Sequence, residues 1–267
     1  MVAQARQSCG LHDGLLYSTG AVGASMPEHE DQDYDFGITI ISPEGRIFQV
    51  EYARESVKRG ATALGVLYDN GVVLLAERRI HSRLIEPAHT KKLYVIDQHI
   101  AVASSGLVAD SRVLIDIARV ECQNNRIRYS EELPVGMLAR AICEVKQGYT
   151  QHGGVRPFGA ALLICGIDAG VPALFETDPS GAYRSIYAGG IGRGTAKVQA
   201  YLEVHWHKGL TKDEAIELAL HAIADQYDED LTIDNLELAV LSTDGGYQEI
   251  DGDALGAFLA KLTPPTT

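Results

Sequence analysis

Cysteine is scarce in this chain of 267 residues and never closely paired. Cys9, Cys122, Cys143 and Cys165 stand far apart with no C-x-x-C step. That argues against a disulfide framework and against a zinc site, and for reduced thiols in a cytoplasmic protein. Lysine is also rare: eight residues, within 23 basic side chains against 36 acidic ones, for a net charge of −13. So negative a chain argues against nucleic acid or an anionic membrane as the main partner. Strong acidity with little lysine is also what a high-salt cytoplasm favours. Long apolar runs are missing, and none approaches the ~20 residues of a membrane span. No charged segment leads into an apolar one, so nothing reads as a secretory signal.

What is present is a 46% hydrophobic fraction, ample for the core of a single large domain. Residues 1–33 have no sustained period and turn acidic from Glu28, which predicts a mobile tail. Met26 offers an alternative start that would shorten this tail. The domain is expected over 34–263, with 264–267 as a short C-terminal tail. Residues 62–66 and 72–76 flank Asp69-Asn70-Gly71, a strong hairpin signal, and residues 93–96 and 100–103 flank Asp97-Gln98, a second one. Val113, Leu114, Ile117 and Val120 form one helical stripe. Met137, Leu138, Ala141, Ile142 and Val145 form another, with Pro134 near its start. Strands follow at 160–167, 173–176 and 184–188, then helices at 195–206 and 213–225, the latter capped by Thr211 with Glu214. A strand at 236–242 and a helix at 254–262 complete an α+β pattern in four layers.

Three motifs of other chemistries fail on spacing. Gly190-Ile191-Gly192-Arg193-Gly194 lacks the third small position of a dinucleotide loop, because Thr195 stands there, and reads as a tight strand-to-helix connection. His205 and His207 fall on different sides of a helix, unlike a chelating i, i+4 pair. Residues 225–234 are acidic but lack the glycine and final glutamate of a calcium loop. No cofactor and no metal is expected.

The stretch from Tyr34 to Gly65 is the most informative. Pro43 and Gly45 supply a turn. Ile47, Val50, Ala53 and Val57 then form an apolar helical stripe, with Gly60 placed as a C-terminal cap. The string SPEGRIFQVEYA within it closely resembles the N-terminal signature of proteasome α-type subunits. HSRLIEP, SSGLVADSRVL, YTQHGGVRPFG and TDGGYQEID resemble archaeal α-subunits too, in the same order, and together cover roughly Tyr34 to Leu262. The resemblance implies a four-layer α/β/β/α sandwich of the Ntn-hydrolase type. It implies a non-catalytic subunit in a homo- or hetero-heptameric outer ring, docked on proteasome β-subunits that carry out threonine proteolysis. That ring would gate the entry of unfolded protein substrates and receive an AAA ATPase activator of the proteasome-activating nucleotidase type.

Site residues follow from the same resemblance. Tyr34, Asp35, Pro43 and Tyr52 match the cluster that sets the tail at the central pore, although Phe36 replaces the family's usual Arg. Glu51, Gly60, Lys92 and Leu107 match the pocket between neighbouring subunits that accepts the activator's C-terminal carboxylate; an ammonium on a long stem is a natural partner for it. His152, Gly153, Gly154 and Val155 match the loop lining the axial constriction, with His152 where the family often has Tyr. No catalytic residue is expected. β-type subunits attack with an N-terminal Thr, and in register with it this chain places Ala61; Thr62 is one position on and faces the other side of the strand. Glu77 and Lys92 lie near the β-type carboxylate and lysine positions. The rival reading is a catalytic Ntn hydrolase or β-type threonine protease using Thr62. A stand-alone binding protein is a further alternative.

Overall fold

The computed structural model describes residues 40–78, 84, 86, 90–225 and 231–262. The expected tail, Tyr34, Asp35, Phe36, Cys9 and residues 264–267 lie outside the described residues. The first turn closes as the sequence suggests: Gly45 N donates to Ser42 O at 2.8 Å, Ser42 N donates to Arg46 O, and Gly45 takes a left-handed φ of 79°. Helix α1 (Phe48–Lys58) follows and buries Val50, Ala53 and Val57. Gly60 is not its left-handed cap. Arg59 closes the helix in a right-handed conformation. Gly60 has another role: a Cβ there would lie 2.3 Å from the backbone nitrogen of Gly106.

Strands β1 (Ala63–Tyr68) and β2 (Gly71–Glu77) form the first hairpin, with Tyr68 opposite Gly71. β3 (Leu93–Asp97) and β4 (Ile100–Gly106) form the second, with a register shift beside Asp97. Helices α2 (Val108–Tyr129) and α3 (Val135–Gln151) come next, then β5 (Ala160–Asp168), β6 (Val171–Thr177), β7 (Tyr183–Ser185) and β8 (Ala188–Ile191). Helices α4 (Thr195–His205) and α5 (Lys212–Ala224), strands β9 (Leu236–Ser242) and β10 (Gly246–Ile250) and helix α6 (Gly252–Leu259) complete the order. The capping box of Thr211 and Glu214 forms at α5 as its spacing predicts. The strand expected at 184–188 is instead two, β7 and β8, which belong to different sheets.

One sheet has the order β10-β9-β2-β1-β8 and the other β3-β4-β5-β6-β7, with every pairing antiparallel. Period-two alternation sends successive side chains to opposite cores. Val73 and Leu75 of β2 pack with Ile216, Leu220 and Ile223 of α5 in one outer core. Val102 of β4 and Leu162 of β5 pack with Leu114, Ile115, Leu138 and Ile142 of α2 and α3 in the other. Between the sheets lie Leu74, Leu163 and Leu174 among the small side chains Ala63, Ala76, Ala101, Ala103, Ala161 and Ala239. Those alanines let the sheets approach closely, and Gly65 goes further: a Cβ there would touch Leu174 at 3.0 Å. The four-layer sandwich expected from the resemblance is what the chain forms.

Two helical faces differ from the sequence expectation. On α2 the buried face is Ser111, Leu114, Ile115, Ala118 and Cys122, while Val113, Val120 and Ile127 are exposed. On α3, Met137 is likewise exposed, and Lys146 is fully buried. The ammonium of Lys146 donates to Ala160 O at 3.0 Å and to Thr177 Oγ1 at 2.8 Å. Burial pushes it down from 10.5 to about 8.

Candidate functional sites

The start of β1 is the position where a nucleophile would stand. Ala61 and Thr62 are both buried. The carbonyl of Ala61 accepts from Ser105 Oγ at 2.7 Å, and Gly192 lies so close that a Cβ on it would be 2.5 Å from that oxygen. Thr62 is bound from both sides. Its N–H donates to Glu77 Oε2 at 3.1 Å, its carbonyl accepts from Glu77 N at 2.8 Å, and its hydroxyl accepts from Gly194 N at 3.3 Å. Arg193 of the β8–α4 connection reaches Glu77 at 3.5 Å. Glycines 190, 192 and 194 thus serve a close strand-to-helix connection over Ala61, as their spacing suggested. Glu77 holds the backbone of Thr62 in place here, and residue 61 presents only a methyl group.

Three of the four expected pocket residues gather at the C-terminal end of β4. Gly60 lies against Ser105 and Gly106. Leu107, the next residue, is exposed, and its Cδ1 packs over Gly159. Lys92 joins through its carbonyl, which accepts from Ser104 N at 3.0 Å. Desolvation draws the Lys92 ammonium below the usual lysine range; Glu237 and Glu77 oppose that shift and Arg112 adds to it. Glu51 stands apart in the first turn of α1, seven residues and so about 10 Å before the helix end at Lys58. It pairs with Arg54 at 2.8 Å. Arg54 in turn binds Asp178 through Nε and Nη2 at 3.0 and 2.9 Å, fixing α1 to the segment after β6. Burial would raise the Asp178 carboxyl, but hydrogen bonds from Arg54 and Ser180 outweigh it and the net shift is down.

Of the expected gate residues, Pro43 is exposed in the 42–46 turn and Tyr52 is exposed on α1, its carbonyl accepting from Ser56 Oγ. The loop expected at a constriction follows α3. His152, Gly153 and Gly154 are exposed, His152 Nδ1 contacts Gly148 O at 2.6 Å, and Gly154 has a φ of 89°. Its anchor was not legible from spacing. Arg156 grips Asp110 of α2 through Nη1 and Nη2 at 2.6 and 2.8 Å, and Gly159 N donates to the same carboxylate at 2.8 Å. These bonds hold the Asp110 carboxyl below its usual range, Arg156 contributing most. Both residues sit inside strings already singled out, SSGLVADSRVL and YTQHGGVRPFG. Only the fold shows that they meet.

No helix among the described residues is long and apolar enough to cross a membrane. The thiols of Cys122, Cys143 and Cys165 are free and buried, and burial pushes them to about 12, 11 and 12. Thiolate chemistry at neutral pH is therefore closed to them.

Comparison with known proteins agrees with this geometry. The proteasome family model matches residues 57–241, and the model for the N-terminal signature of A-type proteasome subunits matches residues 34–55. The proteasome alpha subunit of Methanopyrus kandleri is 52% identical over 212 residues, covering 79% of this chain and 86% of the relative. That of Methanocaldococcus jannaschii is 47% identical over 230 residues, covering 86% and 88%. That of Thermococcus kodakarensis is 52% identical over 211 residues, covering 79% and 80%. The chain belongs to the family of proteasome subunits, as an α-type member of archaeal kind.

Proposed function

We propose that this chain is a non-catalytic ring subunit of a proteasome core particle, serving assembly, control of substrate entry and activator docking. The observation that carries the non-catalytic part is Ala61. A methyl group stands where the family's proteolytic subunits present a hydroxyl, and the neighbouring Thr62 is buried and committed to Glu77 and Gly194. Heptameric association and contact with β-subunits would use apolar surface, and α2 offers it: Val113, Val120 and Ile127 recur at seven-residue spacing on its outer face. Lys92 and Leu107 would receive the C-terminal carboxylate of an ATPase activator, with Glu51 supplied from the neighbouring subunit. Tyr34, Asp35, Pro43 and Tyr52 would set the gate. The acid-rich charge balance suits a cytoplasm of high salt.

The test separates this reading from proteolysis by the chain itself. Purified protein free of β-subunits should show no turnover of a fluorogenic peptide. Turnover abolished by Thr62→Ala would overturn the reading.

A further inference from the structure

Glu237 sits on β9 in one sheet, yet its side chain serves the other. Its Oε2 accepts from the backbone N–H of Lys92 at 2.8 Å and of Leu93 at 3.0 Å, at the start of β3. β3 is an edge strand, so these donors have no ladder partner beyond β4. The same short segment is held twice more. Lys91 bridges to Glu249 of β10 at 2.7 Å, and the Lys92 carbonyl accepts from Ser104 N. The main chain at Lys92 is thus fixed on three sides.

The second oxygen of Glu237 is anomalous. Oε1 is buried and has no hydrogen-bond partner among the described residues. The residue also lines a cavity of about 280 Å³ with Lys91, Leu93, Tyr247 and Glu249. An unpaired carboxylate oxygen out of water is costly, and a glutamine would accept the same two N–H bonds without a charge. A carboxylate kept there points to a use for the charge itself. The charged groups around Lys92 are Glu77 from β2, Glu237 from β9 and Arg112 from α2. Burial draws the Lys92 ammonium down, and Glu237 and Glu77 are the charges that oppose that shift, Glu237 the more strongly.

We propose that Glu237 is a positioning residue for Lys92: it fixes the backbone from which that side chain projects and sustains the positive charge that receives a carboxylate. This rests on the reading of Lys92 as the docking cation. The role is indirect, since Glu237 would not touch the incoming carboxylate. Burial is the larger effect and raises the Glu237 carboxyl above its usual range, while the two backbone bonds oppose that shift.

The experiment uses the assembled core particle with its ATPase activator and reads the activator concentration for half-maximal stimulation of peptide hydrolysis, across pH. Lys92→Ala should abolish or severely weaken docking. Glu237→Ala, which loses both backbone bonds, should raise the half-maximal concentration by about tenfold. Glu237→Gln keeps an acceptor for the backbone but removes the charge; docking should then fail at lower pH on the alkaline side than in the wild type. Unstimulated hydrolysis should be the same in both Glu237 variants as in the wild type. If Lys92→Ala abolishes docking while both Glu237 variants match the wild type at every pH, the positioning role is overturned and Lys92 stands. If Lys92→Ala docks normally, the docking reading fails, and this inference with it.

Discussion

At the scale of single residues, Lys146 is a costly side chain to bury. It is fully buried, with Ala160 O and Thr177 Oγ1 as hydrogen-bond acceptors and no ion pair among the described residues. With its folded pKa at about 8 and its ordinary value at 10.5, the unfolded chain binds more protons throughout that interval. Stability therefore rises with pH between about 8 and 10.5, and below 8 the folded state carries the whole cost of the buried ammonium. Lys146→Met keeps similar length and removes the charge. Thermal unfolding followed from pH 7 to 10 should show the wild type gaining on the variant, with a slope of at most about 1.4 kcal/mol per pH unit. Parallel curves for the two proteins would mean that Lys146 titrates normally.

At the scale of elements, the contact between α2 and the segment after α3 rests on Asp110 and Arg156. Asp110 is depressed chiefly by Arg156, so its contribution is present above the ordinary carboxylate range and is lost as pH falls through the folded value. Asp110→Asn should cost about 1–2 kcal/mol at neutral pH, the modest figure reflecting an Arg156 that is mostly in water. The deficit should shrink toward pH 3; a deficit independent of pH would assign it to packing. No sequence pattern pairs residues 46 positions apart, which is why this clamp, like Arg54 with Asp178, escaped a reading by spacing. Local patterns fared better. Both N-terminal hairpins, the capping box at Thr211 and the α1 stripe were legible because period and turn chemistry are written within ten residues. β10 was missed because Gly246-Tyr247-Gln248-Glu249-Ile250 is a partly polar edge strand without alternation. On α2 the expected stripe holds in part: Leu114 is buried and Ile117 packs against the core, whereas Val113 and Val120 face outward and the fold buries Ser111, Ala118 and Cys122, whose small size suits a close helix–sheet contact. Gly60 needs space beside Gly106 and not the positive φ of a glycine cap, a need that no local spacing expresses. The candidate sites depended on the family resemblance for their identity and on the fold for their geometry.

At the scale of the whole molecule, function depends on where a ring would place each surface. The loop from His152 to Val155 projects beyond α3, and a Cβ added at Gly153 or Gly154 would meet nothing within 4 Å. It is open space within one chain, yet rigidly founded, because Arg156 is tied to Asp110 and Leu107 N donates to Gly159 O at 2.9 Å. A bare, firmly based loop suits the lining of a narrow passage: the backbone defines the aperture, and small side chains keep it open. If the proposed ring directs this loop to its axis, His152→Trp would add bulk at every copy around one constriction. A short peptide would still pass through in a single transit. An unfolded protein must thread continuously, so each of its residues would meet the narrowed aperture. The assembled particle carrying His152→Trp should therefore degrade an unfolded protein several-fold more slowly while hydrolysing a small peptide at nearly the wild-type rate. Replacement by Trp leaves the Arg156 anchor untouched, so a fall in particle yield is not expected and would be read separately by native mass. Equal effects on both substrates, or none on either, would place His152 away from the channel.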